Sequence, residues 1–189
     1  ADTVAAFGVA TKIESFACIP MLALSASIGP IAGQNWGAGN KQRVIKALQY
    51  CYLICVLWSL IIMAMFYSFA DVFASLLASS DSVASKATEY LLIVCVSLVG
   101  YGWITVSSAA FNSLGKSVTS LSYFTLTTFV LYVPLSLAVS IWFDERWIYV
   151  AIATANLVSG CFVAGYTLLW LKKAKQEECH PNWSLNLLD

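Results

Sequence analysis

Gly29-Pro-Ile-Ala-Gly-Gln-Asn-Trp-Gly-Ala-Gly-Asn-Lys-Gln-Arg43 ends an apolar stretch that starts near Val4 and carries Lys12 and Glu14 inside it. The stretch is longer than the roughly 20 residues a helix needs to cross a bilayer, and the loop after it is glycine-rich and basic. A charged side chain at mid-bilayer costs about 2.5 to 3.5 kcal/mol on insertion scales, so Lys12 and Glu14 each require an explanation.

The rest of the chain fits this opening. Of 189 residues 60% are hydrophobic and 11% charged, far below the roughly 25% charge of soluble domains. Mean hydropathy is +0.78. The net charge is zero, so no general basic field attracts nucleic acid, and binding to it is not expected. The first residue is Ala1, with no basic n-region and cleavage site behind it, and the chain reads as cut from a longer one. Cys18, Cys51, Cys55, Cys95 and Cys161 lie in apolar runs and read as small hydrophobes. With His180 far off in the tail, a tetrahedral metal site lacks ligands.

Five segments are long and apolar enough to span, at roughly 4–32, 47–70, 90–111, 118–143 and 147–171. Their length argues against a β-barrel, so the expected class is an all-α polytopic membrane bundle over 1–171, followed by a short polar tail, 172–189. Lys41, Arg43 and Lys46 follow the first span, Lys116 the third, and Lys172, Lys173 and Lys175 the fifth, so seven of ten basic residues fall on one side. That side is expected to be cytoplasmic, with Ala1 outside and the C-terminus inside, in a bacterial inner membrane. Trp147, Tyr149, Trp142 and Tyr67 fall where an aromatic belt is expected.

Two motifs are decoys. Ala110-Phe-Asn-Ser-Leu-Gly-Lys-Ser117 meets the loose spacing of a phosphate-binding loop but lies between two spans instead of between a strand and a helix. Gly37-Ala-Gly39 has Gln42 where a dinucleotide fingerprint needs its third glycine. Asn182-Trp-Ser184 has the form of a glycosylation sequon but falls in the expected cytoplasmic tail, so it should be unmodified. The spans contain no histidine and no aspartate pair for acid-base work, so an enzyme is not expected.

Polar stripes mark candidate cavity walls. Ser97, Tyr101, Thr105, Ser108 and Asn112 share one face of the third span, and Thr125, Thr128, Tyr132 and Ser136 recur in the fourth, where Pro134 frees a backbone carbonyl. The competing reading is that such hydroxyls bond back to their own helix or join neighbours. The second span is apolar nearly all round and is expected to face lipid, while Asn156, Ser159, Gly160 and Gly165 suit close helix packing. Lys12 and Glu14, two positions apart, point in different directions and cannot simply pair. Lys12 suits an interface anchor that snorkels on its alkyl stem. Glu14, on one face with Cys18, Met21 and Ser25, is the candidate ligand for a proton or sodium ion.

Lys12-Ile-Glu14, Pro20, Ala23-Leu-Ser25 and the run Gly29-Pro30-Ile31-Ala-Gly33-Gln34-Asn35-Trp36-Gly37-Ala38-Gly39 with Arg43 resemble the multidrug and toxic compound extrusion transporters. The loop at Gly115-Lys116 resembles that family's link between its tenth and eleventh helices. The resemblance implies that the five spans are helices eight to twelve of about twelve, with the first lobe and the seventh helix as partners missing from the chain. It implies alternating access between two lobes, with inward Na+ or H+ driving export of organic, cationic compounds and no cofactor beyond the coupling ion. A sodium-coupled branch carries an acid in its tenth helix, whereas nothing acidic lies between Leu91 and Phe111, so coupling by that residue is excluded, and Glu14 and acidic groups in the missing lobe become the candidates. Alternatives are a lipid-linked precursor flippase of the same superfamily, whose anionic cargo would favour arginine in the spans, and a non-transporting membrane scaffold or assembly subunit.

Overall fold

A computed structural model describes residues 2–78, 80–142 and 145–179. Among these there is no strand, and five helical segments are long and apolar enough to cross a membrane. His180 and the Asn182-Trp-Ser184 sequon lie outside the described residues.

The first span is α1 (Asp2–Gly37), continuous through Pro20 and Pro30. It is followed by α2 (Lys41–Leu77). The third is α3 (Asp81–Val94), a 3-10 turn at Cys95–Ser97 and α4 (Leu98–Ser113). The fourth is α5 (Ser117–Thr125), a π-helical stretch at Leu126–Tyr132 and α6 (Val133–Trp142), and the fifth is α7 (Glu145–Cys179). The first, second, third and fifth helical segments extend past the sequence-derived boundaries at both ends, while the fourth begins one residue earlier and is described to Trp142. At α3 the Ser80 side chain accepts from the Val83 N–H, and Asp81 faces the helix dipole. The expected tail is corrected in part, since α7 stays helical from Lys172 to Cys179.

Two glycines end helices in the same way. Gly39 and Gly115 both hold φ of +73°, the left-handed conformation that suits glycine. The Asn40 N–H reaches back to the Asn35 carbonyl at 2.7 Å and the Lys116 N–H to the Phe111 carbonyl at 2.9 Å, satisfying carbonyls that the helix ends leave open. Gly115 is therefore a helix cap, which accounts physically for the phosphate-loop decoy.

Pro134 explains the π stretch. Proline has no N–H to give the carbonyl four residues back and its ring crowds that carbonyl, so the preceding turns widen. The Val133 N–H accordingly donates to the Thr128 carbonyl, five residues earlier.

α4 lies at the centre, against α1 and α7, with α2 and α5 also touching it. Glycine permits this. A Cβ on Gly100 would run into the Asn156 carbonyl of α7, and one on Gly160 would meet the backbone of Gly100. A Cβ on Gly102 would come within 2.9 Å of both Cys55 Sγ and Met21 Sδ, so α1, α2 and α4 close around it. Gly160 thus sits at a close helix crossing, whereas Gly165 has no neighbour within 4 Å among the described residues. α2 buries one seam, including Leu48, Cys55, Ile62 and Phe66, and exposes Leu53, Leu57, Leu60 and Ile61 on the other side. Tyr149 is a correction to the aromatic belt, because it is buried and packs edge-on against Tyr90. Tyr67 and Trp147 are exposed as a belt requires.

Candidate functional site

Glu14 stands about a third of the way along α1, half-buried between neighbouring spans. Its Oε2 accepts a hydrogen bond of 2.8 Å from the Tyr90 hydroxyl of α3. Tyr90 is held from both sides by edge-on rings, Phe7 at 5.4 Å and Tyr149 at 5.1 Å, so its hydroxyl is fixed in direction. Tyr101 of α4 and Tyr132 at the end of the π stretch lie within electrostatic reach of the same carboxylate, as does Cys18 one turn along α1. Of the three phenols in this neighbourhood, Tyr90 alone bonds to the carboxylate, while Tyr101 and Tyr132 feel its charge. A carboxylate with a single fixed donor keeps lone pairs for a cation, and the phenol rings offer it faces.

Glu14 was legible in the sequence as a charge out of place. Tyr90 was missed because it sits at the very start of the expected third span, although it lies seven residues before Ser97, on the face of the polar stripe. Lys12 is exposed and lies on the side of α1 with Phe16 and Ile19, also exposed, away from this cluster.

The stripe of the third span divides. Ser97 is 0% exposed and donates to the Val94 carbonyl, Thr105 is 8% exposed and bonds to the Tyr101 and Gly102 carbonyls, and Ser108 is 4% exposed and paired with Ser120 of α5. Any further chain against this lobe can only add burial, so the expectation that these three line an aqueous cavity is corrected. The close approach of Gly100 and Gly160 draws α4 into the middle of the lobe, and its hydroxyls turn to helix packing. Tyr101 remains half-exposed. In the fourth span Thr125 and Thr128 are exposed and Tyr132 half-buried, while Ser25 of α1 is half-buried and bonds back to the Leu22 carbonyl.

The glycine-rich loop lies at the far end of the lobe from Tyr90. Asn35 donates to the Ile31 carbonyl at 2.8 Å, a Cβ on Gly33 would meet Ser113 only at ordinary contact distance, and Gly37 and Gly39 have open space around them. Gln34 and Ala38 are exposed. Trp36 stacks on Trp170 of α7 at 5.5 Å, with Lys41 over one ring and Lys116 over the other. Lys41 also donates to the Ala174 carbonyl at 3.0 Å, and Lys175 to Gln42 at 2.7 Å. The loop is a joint tying three spans together. The seven basic residues that the sequence assigns to one side all belong to these segments. At the opposite end Lys86 bonds Thr3, and Arg146 pairs with Glu89.

Five spanning helices, a charge-sorted pair of ends and an intramembrane carboxylate define an integral membrane protein of the polytopic helix-bundle class. The chain belongs to the MatE family, whose model matches residues 1–138. It is similar to the FAD transporter of Shewanella oneidensis, 28% identical over 180 residues that make up 95% of this chain and 38% of that protein. It is also similar to the "Probable multidrug resistance protein YpnP" of Bacillus subtilis, 23% identical over 84% of this chain and 36% of that protein. Among solved structures it is similar to the Vibrio cholerae MATE transporter VcmN in its bent form, with a TM-score of 0.87, 23% identity, and coverage of 93% of this chain and 40% of that one. A MOP superfamily transporter from Pyrococcus furiosus gives a TM-score of 0.84 at 21% identity, covering 94% of this chain and 39% of that one. At these identities the structures speak to the fold. The chain spans less than two fifths of the length of the curated relatives it matches.

Proposed function

We propose that the chain is part of the C-terminal lobe of a secondary antiporter that exports organic cations in exchange for inward Na+ or H+ by alternating access. Its partners are then an N-terminal lobe and a seventh helix, and its basic end faces the cytoplasm of a bacterial inner membrane. Family membership supports transport over catalysis. The observation that carries the reading is the Glu14 carboxylate, held by Tyr90 and bordered by Tyr101 and Tyr132. A carboxylate that neutralises either the coupling ion or a cationic substrate, but not both at once, makes the two compete, and competition between them for one site produces exchange. The phenol rings add attraction for an organic cation. Thr125 and Thr128, exposed, and Ser25, half-buried, would supply further polar contacts. Replacing Glu14→Gln in the intact protein should abolish ion-driven efflux with abundance unchanged, and undiminished efflux would remove Glu14 from the mechanism.

A second reading is export of a flavin nucleotide, favoured by the relative named an FAD transporter, whose similarity covers 95% of this chain. Such a cargo is anionic and would be repelled by Glu14. The two readings separate in one assay: under cation export Glu14→Gln lowers efflux of a cationic dye, whereas under flavin export it leaves or raises efflux of FAD.

A further inference from the structure

The joint at the basic end holds cations that the packing does not use. Lys41 and Lys175 lock the start of α2 to the end of α7 through Ala174 and Gln42. Next to this lock in the sequence, Arg43 and Lys46, three apart on α2, and Lys172 and Lys173 on α7 are exposed, and none forms an ion pair with a side chain among those described up to Gln176. Against seven basic residues at this end, the sequence places Glu177 and Glu178 in the last turn of α7 and Asp189 at the end of the tail. The Trp36–Trp170 stack marks depth, since tryptophan settles at the level of lipid headgroups. Lys41 and Lys116, each over one of these rings, sit at that same level.

We propose that the junction of α2 and α7 is a binding surface for anionic phospholipid headgroups, with Arg43, Lys46, Lys172 and Lys173 as the phosphate-binding groups and the tryptophan pair as its floor. A soluble anion would gain the charges alone. A membrane lipid also gains a headgroup position fixed by the tryptophans and a local concentration set by the leaflet, and each lysine or arginine near an anionic surface contributes about 1 kcal/mol. The surface needs the chain to span a membrane but not to transport anything, so it stands apart from the role given to Glu14.

Native mass spectrometry of the full-length protein, delipidated and then supplied with phosphatidylglycerol or phosphatidylcholine, tests this. Wild type should retain phosphatidylglycerol at least about tenfold more strongly, given the attraction per cation. The variant R43Q/K46Q/K172Q/K173Q should fall to the phosphatidylcholine level with helical content unchanged. Equal retention of the two lipids by wild type, or undiminished phosphatidylglycerol retention by the variant, overturns the proposal. Displacement by millimolar inorganic phosphate also overturns it, marking a site for free anions. Should the variant fail to fold, the wild-type lipid comparison and the phosphate competition decide alone.

Discussion

The two ends of α1 are built by different physics. From Gly33 to Arg43 the chain carries its most recognisable sequence, yet the residues there cap a helix, stack two tryptophans and tie α2 to α7. Around Glu14 the sequence shows only a misplaced charge, yet Tyr90 from another span bonds to it, and Tyr101 and Tyr132 lie within its electrostatic reach. A recognisable motif can mark a joint, where backbone geometry restricts residue choice, while the chemistry lies where one unusual side chain meets neighbours supplied by distant segments. Glycine at φ of +73° leaves a narrow choice of residue, whereas a tyrosine hydroxyl can reach a carboxylate from many starting points.

Several changes would break or sharpen this contrast. The largest effect belongs to neither region but to the crossing that sets their geometry. Gly100→Val forces side-chain atoms into the Asn156 carbonyl and should cost about 3 kcal/mol or more, read as a collapse of thermal stability in detergent. Next comes Tyr90→Phe, which keeps the contacts with Phe7 and Tyr149 but removes the donor to Glu14. The lost charge-assisted bond is worth about 1.5 to 3 kcal/mol, and ion-driven efflux should drop with folding intact. If efflux is unaffected, the site is not as described. At the joint, Gly39→Ala and Gly115→Ala each place a Cβ in the left-handed region, costing about 1 to 2 kcal/mol in melting experiments while leaving the ion dependence of transport unchanged. A change in coupling would dissolve the division between joint and site. Smallest is Gly165→Ala, which meets open space and should leave stability within about 0.5 kcal/mol.

Cysteine substitution maps the open surface directly. Cysteines at Thr125 and Thr128 should react with a membrane-impermeant maleimide in the assembled transporter, and those at Ser97 and Ser108 should stay protected. Labelling at Ser97 would restore the aqueous stripe that the packing of α4 removes.

Much of the architecture was legible before the structure. Hydropathy located five spans, and the lysines and arginines sorted themselves to one end because insertion leaves a charge signature in the sequence. The π stretch was half legible, since Pro134 announced a freed carbonyl but not the direction in which the turns would widen. The fate of Ser97, Thr105 and Ser108 was not legible, because helical spacing places residues on one face without saying what covers it. Gly100 and Gly102 held that answer, but a glycine within an apolar run does not reveal whether a neighbour approaches, as open Gly165 and crowded Gly160 demonstrate. Glu14 stood out by its cost, and Tyr90 did not, since nothing in its own segment required a partner for a carboxylate more than seventy residues earlier.

The central claim is that Glu14 carries the exchange while the glycine-rich joint does not. Proteoliposomes containing the full-length protein, with an imposed Na+ or H+ gradient and a cationic dye, test it most directly. Wild type and Gly39→Ala should show gradient-driven dye accumulation, and Glu14→Gln none at equal reconstitution. Accumulation by Glu14→Gln at the wild-type rate would contradict it.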